Sequence, residues 1–196
     1  MGKSAAQLSL FPELPEGARR RRPARVRAFF ALWPDEPLRE GLARTAALIP
    51  PGAARASRVR PERYHLTLSF LGMLEPAQIE AAQRAASQVR AASFRLVLDT
   101  VGHIAGPNVV WIGPGARCPP LAALKAELDR ELLRYNLPVA SSPFLPHITC
   151  LRGVREPPDP PPVHLDWPVR EFVLVKSVLK PGNSYYKVIA RWPLAP

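Results

Sequence analysis

Two short segments of the chain repeat the same pair of polar residues, and those residues could do acid–base chemistry. The segments HLTL, which begins at His65, and HITC, which begins at His147, each place a threonine two positions after the histidine. Residues two apart on a β-strand point to the same face of the sheet. Because the chain has only four histidines, chance placement is a poor explanation for the repeat.

A pair of histidines suits displacement at a phosphorus atom, which needs a base on the attacking side and an acid on the leaving side. The usual histidine pKa of about 6.5 lets one ring be neutral and the other protonated near neutral pH. A single strand histidine is more often structural, so the inference depends on the repeat. Alternation along the first strand predicts a polar face and an apolar, core-directed face, which carry His65, Thr67 and Ser69, and Leu66, Leu68 and Phe70, respectively.

Hydrophobic periodicity predicts the elements that position these motifs. The order is β-α-β-α-β-β-α-β-β-β, which indicates an α+β protein. We expect two pseudo-symmetric lobes with mixed or antiparallel sheets around a central cleft, and helices on the outside. The predicted strands cover 25–33, 65–71, 94–99, 108–113, 147–150, 171–179 and 185–192, and the predicted helices cover 38–49, 75–89 and 121–132. The proline-rich segment 157–162 is a predicted connection, and 180–183 a predicted turn.

Composition limits the class of protein. The 196 residues are 47% hydrophobic, and we expect residues 25–196 to form a single bilobal domain after a basic, disordered tail at 1–24. No apolar run approaches the ~20 residues that span a bilayer. Cys118 and Cys150 form no metal-binding spacing, and the N-terminus does not read as a signal peptide. These features predict a soluble, cytoplasmic protein, which we expect to be a monomer.

The formal net charge of +11 favours a polyanionic partner such as RNA. Both the first 27 residues and the rest of the chain are net basic. The run Arg19–Arg22 is more typical of a solvated tail than of an arm that contacts nucleic acid, although both interpretations remain open.

The two motifs and their flanking strings resemble the 2H phosphoesterase superfamily. The fuller match is to its bacterial RNA 2′,3′-cyclic phosphodiesterase branch, also called 2′-5′ RNA ligase. The strings occur in family order over nearly the whole chain. They are RAFFAL at 27–32, HLTLSFLG at 65–72, VVWIG at 109–113, PFLPHIT at 143–149, EFVL at 171–174 and RW at 191–192.

The resemblance implies a reaction and a role for each site residue. RNA 2′,3′-cyclic phosphate ends, including those of tRNA fragments, would be hydrolysed to 2′-phosphomonoesters without a metal or cofactor, and 2′-5′ ligation would be the reverse reaction. His147 would be the general base and His65 the general acid, although pseudo-symmetry lets these roles exchange in reverse. Thr67 and Thr149 would bind the phosphate oxygens. The resemblance adds Arg152 to them, although strict alternation places it on the face opposite His147 unless a strand end or bulge intervenes.

Other residues receive predictions outside this machinery. Cys150 should pack in the core as a small hydrophobe, and His103 and His164 should be non-catalytic. Core packing is the better prediction than base stacking for Phe30, Phe144 and Trp111. Two alternative functions remain: a non-catalytic module that binds RNA ends, and a phosphodiesterase for a small cyclic nucleotide or a 2′-5′ oligonucleotide.

Overall fold

A computed structural model of the protein describes residues 24–50, 56–156, 159–178 and 185–196. Apart from Ala24, the predicted basic tail with its Arg19–Arg22 run lies outside the described residues. So does the predicted turn at 180–183, together with the first two residues of the predicted connection at 157–162.

The elements follow the predicted order, with additions that are short or carry weak strand signals. The strands are β1 Val26–Leu32, β2 Ser57–Arg58, β3 Leu66–Leu74, β4 Phe94–Leu98, β5 Thr100–Ile104, β6 Val109–Gly113, β7 Ile148–Arg152, β8 Leu165–Val169, β9 Glu171–Val178 and β10 Tyr185–Pro193. The helices are α1 Glu36–Leu48, α2 Pro76–Ala86 and α3 Pro119–Arg134, and a single 3-10 turn covers Pro61–Arg63. Periodicity missed β2, β5 and β8. The first has two residues, the second contains a glycine and the third a proline.

The strands form one large antiparallel sheet and one small one. The large sheet has the order β10-β9-β1-β3-β7-β6-β5, with β2 also beside β7, and β4 pairs with β8 in the small sheet. The predicted α+β class is confirmed. The two lobes correspond to two halves of one sheet, whose centre is the pair of motif strands.

The two halves are built alike. In the first half β1 leads through α1 to the motif strand β3, and in the second half β6 leads through α3 to the motif strand β7. Each helix crosses over, since α1 packs against β7 and α3 packs against β3. This exchange of helices holds the two motif strands side by side.

Local sequence explains where the crossing helices begin and what they bury. The Asp35 side chain accepts a hydrogen bond from the Leu38 backbone N–H at 3.1 Å, which caps the first turn of α1. Pro119 and Pro120 open α3, where a missing N–H costs nothing. The buried stripe of α3 consists of leucines spaced three or four apart, at 121, 124, 128 and 132. No helix in the described ranges is long and apolar enough to cross a membrane.

Candidate active site

The two motif strands touch at a single register pair. Leu66 of β3 lies opposite Ile148 of β7, and their side chains are buried. Antiparallel register therefore places each motif's histidine opposite the other motif's threonine. All four side chains lie on the face of the sheet opposite to Leu66 and Ile148. Leu66 and Ile148 are the first residues of their strands, so β3 and β7 overlap only at their starts and run on in opposite directions. Further along β7, the short strand β2 pairs with Leu151 and Arg152. The two halves of the sheet therefore meet at this one pair, and the cleft lies between them.

Each motif strand carries a β-bulge three residues after its histidine. In the pairing of β1 with β3, Thr67 and Ser69 have partners and Leu68 between them has none. In the pairing of β6 with β7, Thr149 and Leu151 have partners and Cys150 has none. A bulge inserts one extra residue and resets the alternation of side chains.

The bulges decide which later residues reach the cleft. Arg152 lines the cleft with His65, so the bulge at Cys150 supplies the irregularity that its predicted position required. The predicted faces of Ser69 and Phe70 were wrong, because the bulge at Leu68 exchanges them. Ser69 is 3% exposed and donates a hydrogen bond to the Asp129 carboxylate of α3. Phe70 is 41% exposed and lines the cleft.

The two motif histidines have the same hydrogen-bonded arrangement. Nδ1 of His65 lies 2.6 Å from the Arg63 carbonyl oxygen, and Nδ1 of His147 lies 2.8 Å from the Leu145 carbonyl oxygen. A carbonyl can only accept, so Nδ1–H donates in both cases and fixes the tautomer of the neutral ring. This leaves Nε2 of each ring to accept or donate a proton.

His65 is enclosed by three aromatic rings on the cleft side of the sheet. Its ring centroid lies 4.9 Å from that of Phe29, 5.8 Å from that of Trp33 in a stacked arrangement, and 5.1 Å from that of Tyr186. Burial lowers the pKa of His65 to about 4, against the raising effect of the Arg63 carbonyl, and the charge of Arg152 lowers it further. The free protein therefore holds His65 neutral at pH 7.

The cleft has two neighbouring cavities that share part of their lining. The larger, of about 400 Å³, is lined by Arg27, Phe29, Arg63, His65, Thr67, Phe70, Arg152, Ser177 and Tyr186. The smaller, of about 180 Å³, shares Arg63, His65, Arg152 and Tyr186 with it, and adds Thr149 and the segment 57–60. His147 lies beside them, at the register position opposite Thr67 of the neighbouring strand β3. Its ring centroid is 6.3 Å from that of Trp111. Four of the five predicted site residues thus line the cavities, and the strand register places the fifth, His147, next to them.

The remaining predictions concern residues outside these cavities. Cys150 and Phe30 are 0% exposed, as predicted for core residues. Nε2–H of His103 donates to the Val154 carbonyl oxygen at 2.8 Å, which is a structural contact. Trp111 is half-buried and approaches His147, so it packs on the cleft side rather than in the main core. Phe144 is half-buried, with Lys125 Nζ 5.7 Å from its ring centroid.

Sequence reasoning missed several residues of the cleft. Phe29, Trp33 and Tyr186 come from β1, its end and β10, and only the strand order β10-β9-β1-β3 brings them to His65. Arg63 belongs to neither motif, and its position in the cleft depends on the 3-10 turn before β3. No cluster of three or more His, Cys, Asp or Glu side chains suited to a metal ion occurs within the described ranges.

Comparison with known proteins agrees with this fold. The RNA 2′,3′-cyclic phosphodiesterase of Escherichia coli (strain K12) is 35% identical over 173 residues, which cover 86% of this chain and 96% of that protein. The protein of the same name from Thermus thermophilus is 31% identical over 188 residues, which cover 86% and 90%. The crystal structure of E. coli LigT complexed with 3′-AMP matches with a TM-score of 0.79 at 32% identity and covers 88% of this chain and 99% of that one. A model of the 2′-5′ RNA ligase superfamily matches residues 33–177, and the chain therefore belongs to this superfamily.

Proposed function

We propose that the protein hydrolyses RNA 2′,3′-cyclic phosphate ends to 2′-phosphomonoesters. One observation carries the proposal: two His-x-Thr motifs lie side by side in the cleft, and both histidines donate Nδ1–H to the carbonyl two residues earlier. The relatives named RNA 2′,3′-cyclic phosphodiesterase, similar over most of the chain, supply the substrate class.

His147 acts as the general base in this proposal. Nε2 of the neutral ring takes a proton from water, and the water oxygen forms a bond to phosphorus opposite the 3′-oxygen. The hydrogen bond from Nδ1–H to the Leu145 carbonyl stabilises the imidazolium that results.

His65 acts as the general acid and gives the proton on Nε2 to the departing 3′-oxygen. Because the lowered pKa keeps the ring neutral in the free protein, His65 must gain a proton before it can act as an acid. The negative charge of the bound phosphodiester favours this protonation, since an opposite charge nearby stabilises the protonated form. Substrate binding therefore protonates the general acid.

Three side chains hold the phosphate through its reaction. The hydroxyls of Thr67 and Thr149 donate to the non-bridging oxygens from opposite sides of the cleft. The Arg152 guanidinium lines both cavities and can bind these oxygens through two N–H groups at once. Fixed donors of this kind contribute most where negative charge grows in the transition state.

Other parts of the proposal rest on general features of the chain. The continuous sheet from β10 to β5 supports a single bilobal domain within 25–196, which we expect to act as a monomer. Both cysteines are free thiols, which suits the reducing cytoplasm. Because the two histidines have the same hydrogen-bonded arrangement, their acid and base roles can exchange, which supports 2′-5′ ligation as the reverse reaction. We expect tRNA fragments to be among the RNA substrates.

The test is product analysis on a short RNA that ends in a 2′,3′-cyclic phosphate, with and without excess EDTA. We expect a 2′-phosphate end at the same rate in both conditions. A 3′-phosphate product would reverse the assigned polarity, and loss of activity with EDTA would contradict the metal-free mechanism. Binding of the RNA without any product would instead favour the non-catalytic module.

A further inference from the structure

We propose that the smaller cavity of the cleft is a second phosphate subsite, which holds the phosphodiester one ribose away from the reacting phosphate. This inference rests on the proposed function, and it goes further by predicting a preference for substrates with at least two phosphates. At about 180 Å³ the cavity can hold a phosphate group, whereas pockets for whole small molecules start at about 300 Å³.

The walls of the smaller cavity are strongly basic. Arg58, Arg60, Arg63 and Arg152 all line it, and no acidic residue does. Within the described ranges, none of these four arginines lies within ion-pairing distance of a carboxylate, whereas eight arginines elsewhere do. An uncompensated group of guanidinium ions is a site for an anion.

Hydrogen bonds separate the arginines that are occupied from those that are available. The Arg58 guanidinium donates to carbonyls at the end of α1, including that of Ile49 at 3.0 Å, so it fixes the helix. The side chains of Arg60 and Arg63 make no hydrogen bond to any other residue in the described part of the chain. Arg60 is exposed and lines only the smaller cavity, and Arg63 lines both.

The backbone explains why these residues reach the site. Past the single pair of β7 with β3, β2 pairs with Leu151 and Arg152, and the Val59 N–H donates to the Cys150 carbonyl at 2.8 Å. The chain then returns to His65 through the 3-10 turn, which carries Arg60 and Arg63 along the edge of the cleft. The second cavity therefore adjoins the reacting one and shares Arg63, His65 and Arg152 with it.

An RNA end fits this arrangement. The terminal nucleoside carries the cyclic phosphate on its 2′ and 3′ oxygens and the next phosphate on its 5′ oxygen. The cyclic phosphate lies between the motifs, where His65 and Arg152 line both cavities. The 5′-phosphate is then the group that the far end of the smaller cavity, beside Arg60, would receive. A mononucleoside 2′,3′-cyclic phosphate leaves that cavity without its anion.

The test compares two substrates that differ by one phosphate: adenosine 2′,3′-cyclic phosphate and the same compound with a 5′-phosphate. We expect kcat/KM to be about tenfold or more higher for the second, as for a hydrogen-bonded ion pair. Arg60→Gln should bring this ratio severalfold closer to one. The control Arg90→Gln makes the same change in net charge at an exposed arginine that lines neither cavity, and it should keep the wild-type ratio.

The outcomes separate this inference from the proposed function. A wild-type ratio near one overturns the inference, and so does a ratio that neither Arg60→Gln nor Arg63→Gln changes. Cleavage of a cyclic-ended RNA with neither nucleotide turned over also overturns it, because one added phosphate would then be insufficient. Failure to cleave all three substrates counts against the proposed function itself.

Discussion

Phe70 and Arg152 occupy the same place in two matching strands. Each lies five residues after a motif histidine and two residues after a bulge, and each reaches the same cavity from its own half of the sheet. The halves thus share a backbone design and differ in the side chain presented at this place. One half offers an aromatic ring and the other a guanidinium.

Arg152 should be required for its shape as well as its charge. Replacing it with glutamine removes a charged donor to the phosphate, and we expect kcat/KM to fall by about tenfold to a hundredfold. Arg152→Lys should restore only part of this loss, because an ammonium cannot make the two parallel hydrogen bonds. Steady-state kinetics on the cyclic-ended RNA checks this, with Arg155→Lys as the exposed neighbouring control. Full activity of Arg152→Lys would contradict bidentate binding.

Phe70 should contribute to binding through its exposed ring, which carries the Arg27 guanidinium 4.8 Å from its centroid. A base stacked on an aromatic side chain contributes about 1–3 kcal/mol. Phe70→Ala should therefore raise KM by roughly fivefold to a hundredfold and leave kcat within a fewfold. Met73→Ala removes another exposed apolar side chain from the same strand and serves as the control. Equal KM values for the two variants would exclude stacking on Phe70.

Substitutions of the two histidines should differ in whether an altered substrate restores activity. His65→Ala and His147→Ala should each lower kcat by about 10²–10⁴ while the protein stays folded by circular dichroism. A substrate with sulfur in place of the 3′-oxygen needs little protonation to leave, so it should restore activity to His65→Ala alone. Selective rescue of His147→Ala would exchange the acid and base assignments.

The pH dependence of stability should report the burial of His65. Because its native pKa of about 4 lies below the unfolded value of about 6.5, the unfolded chain binds a proton between these values that the native protein does not. The free energy of unfolding should therefore fall as the pH is lowered from 6.5 to 4, by up to about 3 kcal/mol from this group. Urea unfolding of the wild type and His65→Gln measures the difference. Parallel pH profiles would show that His65 is not held neutral.

Bound phosphate should raise the pKa of His65. An anion in the larger cavity favours the imidazolium, so the ring should titrate at a higher pH when 2′-AMP is added. NMR titration of the His65 ring protons, with and without 2′-AMP, measures the shift directly. An unchanged pKa at saturating 2′-AMP would contradict the role of substrate charge in preparing the acid.

Periodicity recovered the order of ten elements because each long element has one face that must be buried. The apolar runs of β1 and β9 and the leucine stripe of α3 carry this signal in the chain itself. Strands such as β5, which contains Gly102, lack it, because every residue of β5 is only half-buried and the strand has no buried apolar face. Bulges are invisible to a pattern of alternation, which is why Ser69 and Phe70 were assigned to the wrong faces.

The sequence by itself determined the chemistry. Two His-x-Thr pairs on strands specify paired acid and base groups, and their residue types do not depend on the packing. Only the tertiary structure decided how these groups behave. Sheet order encloses His65 among Phe29, Trp33 and Tyr186 and lowers its pKa, and the bulge at Cys150 turns Arg152 into the cleft. The physical reason is that desolvation and side-chain direction depend on which strands become neighbours, and the spacing of residues along the chain does not contain that information.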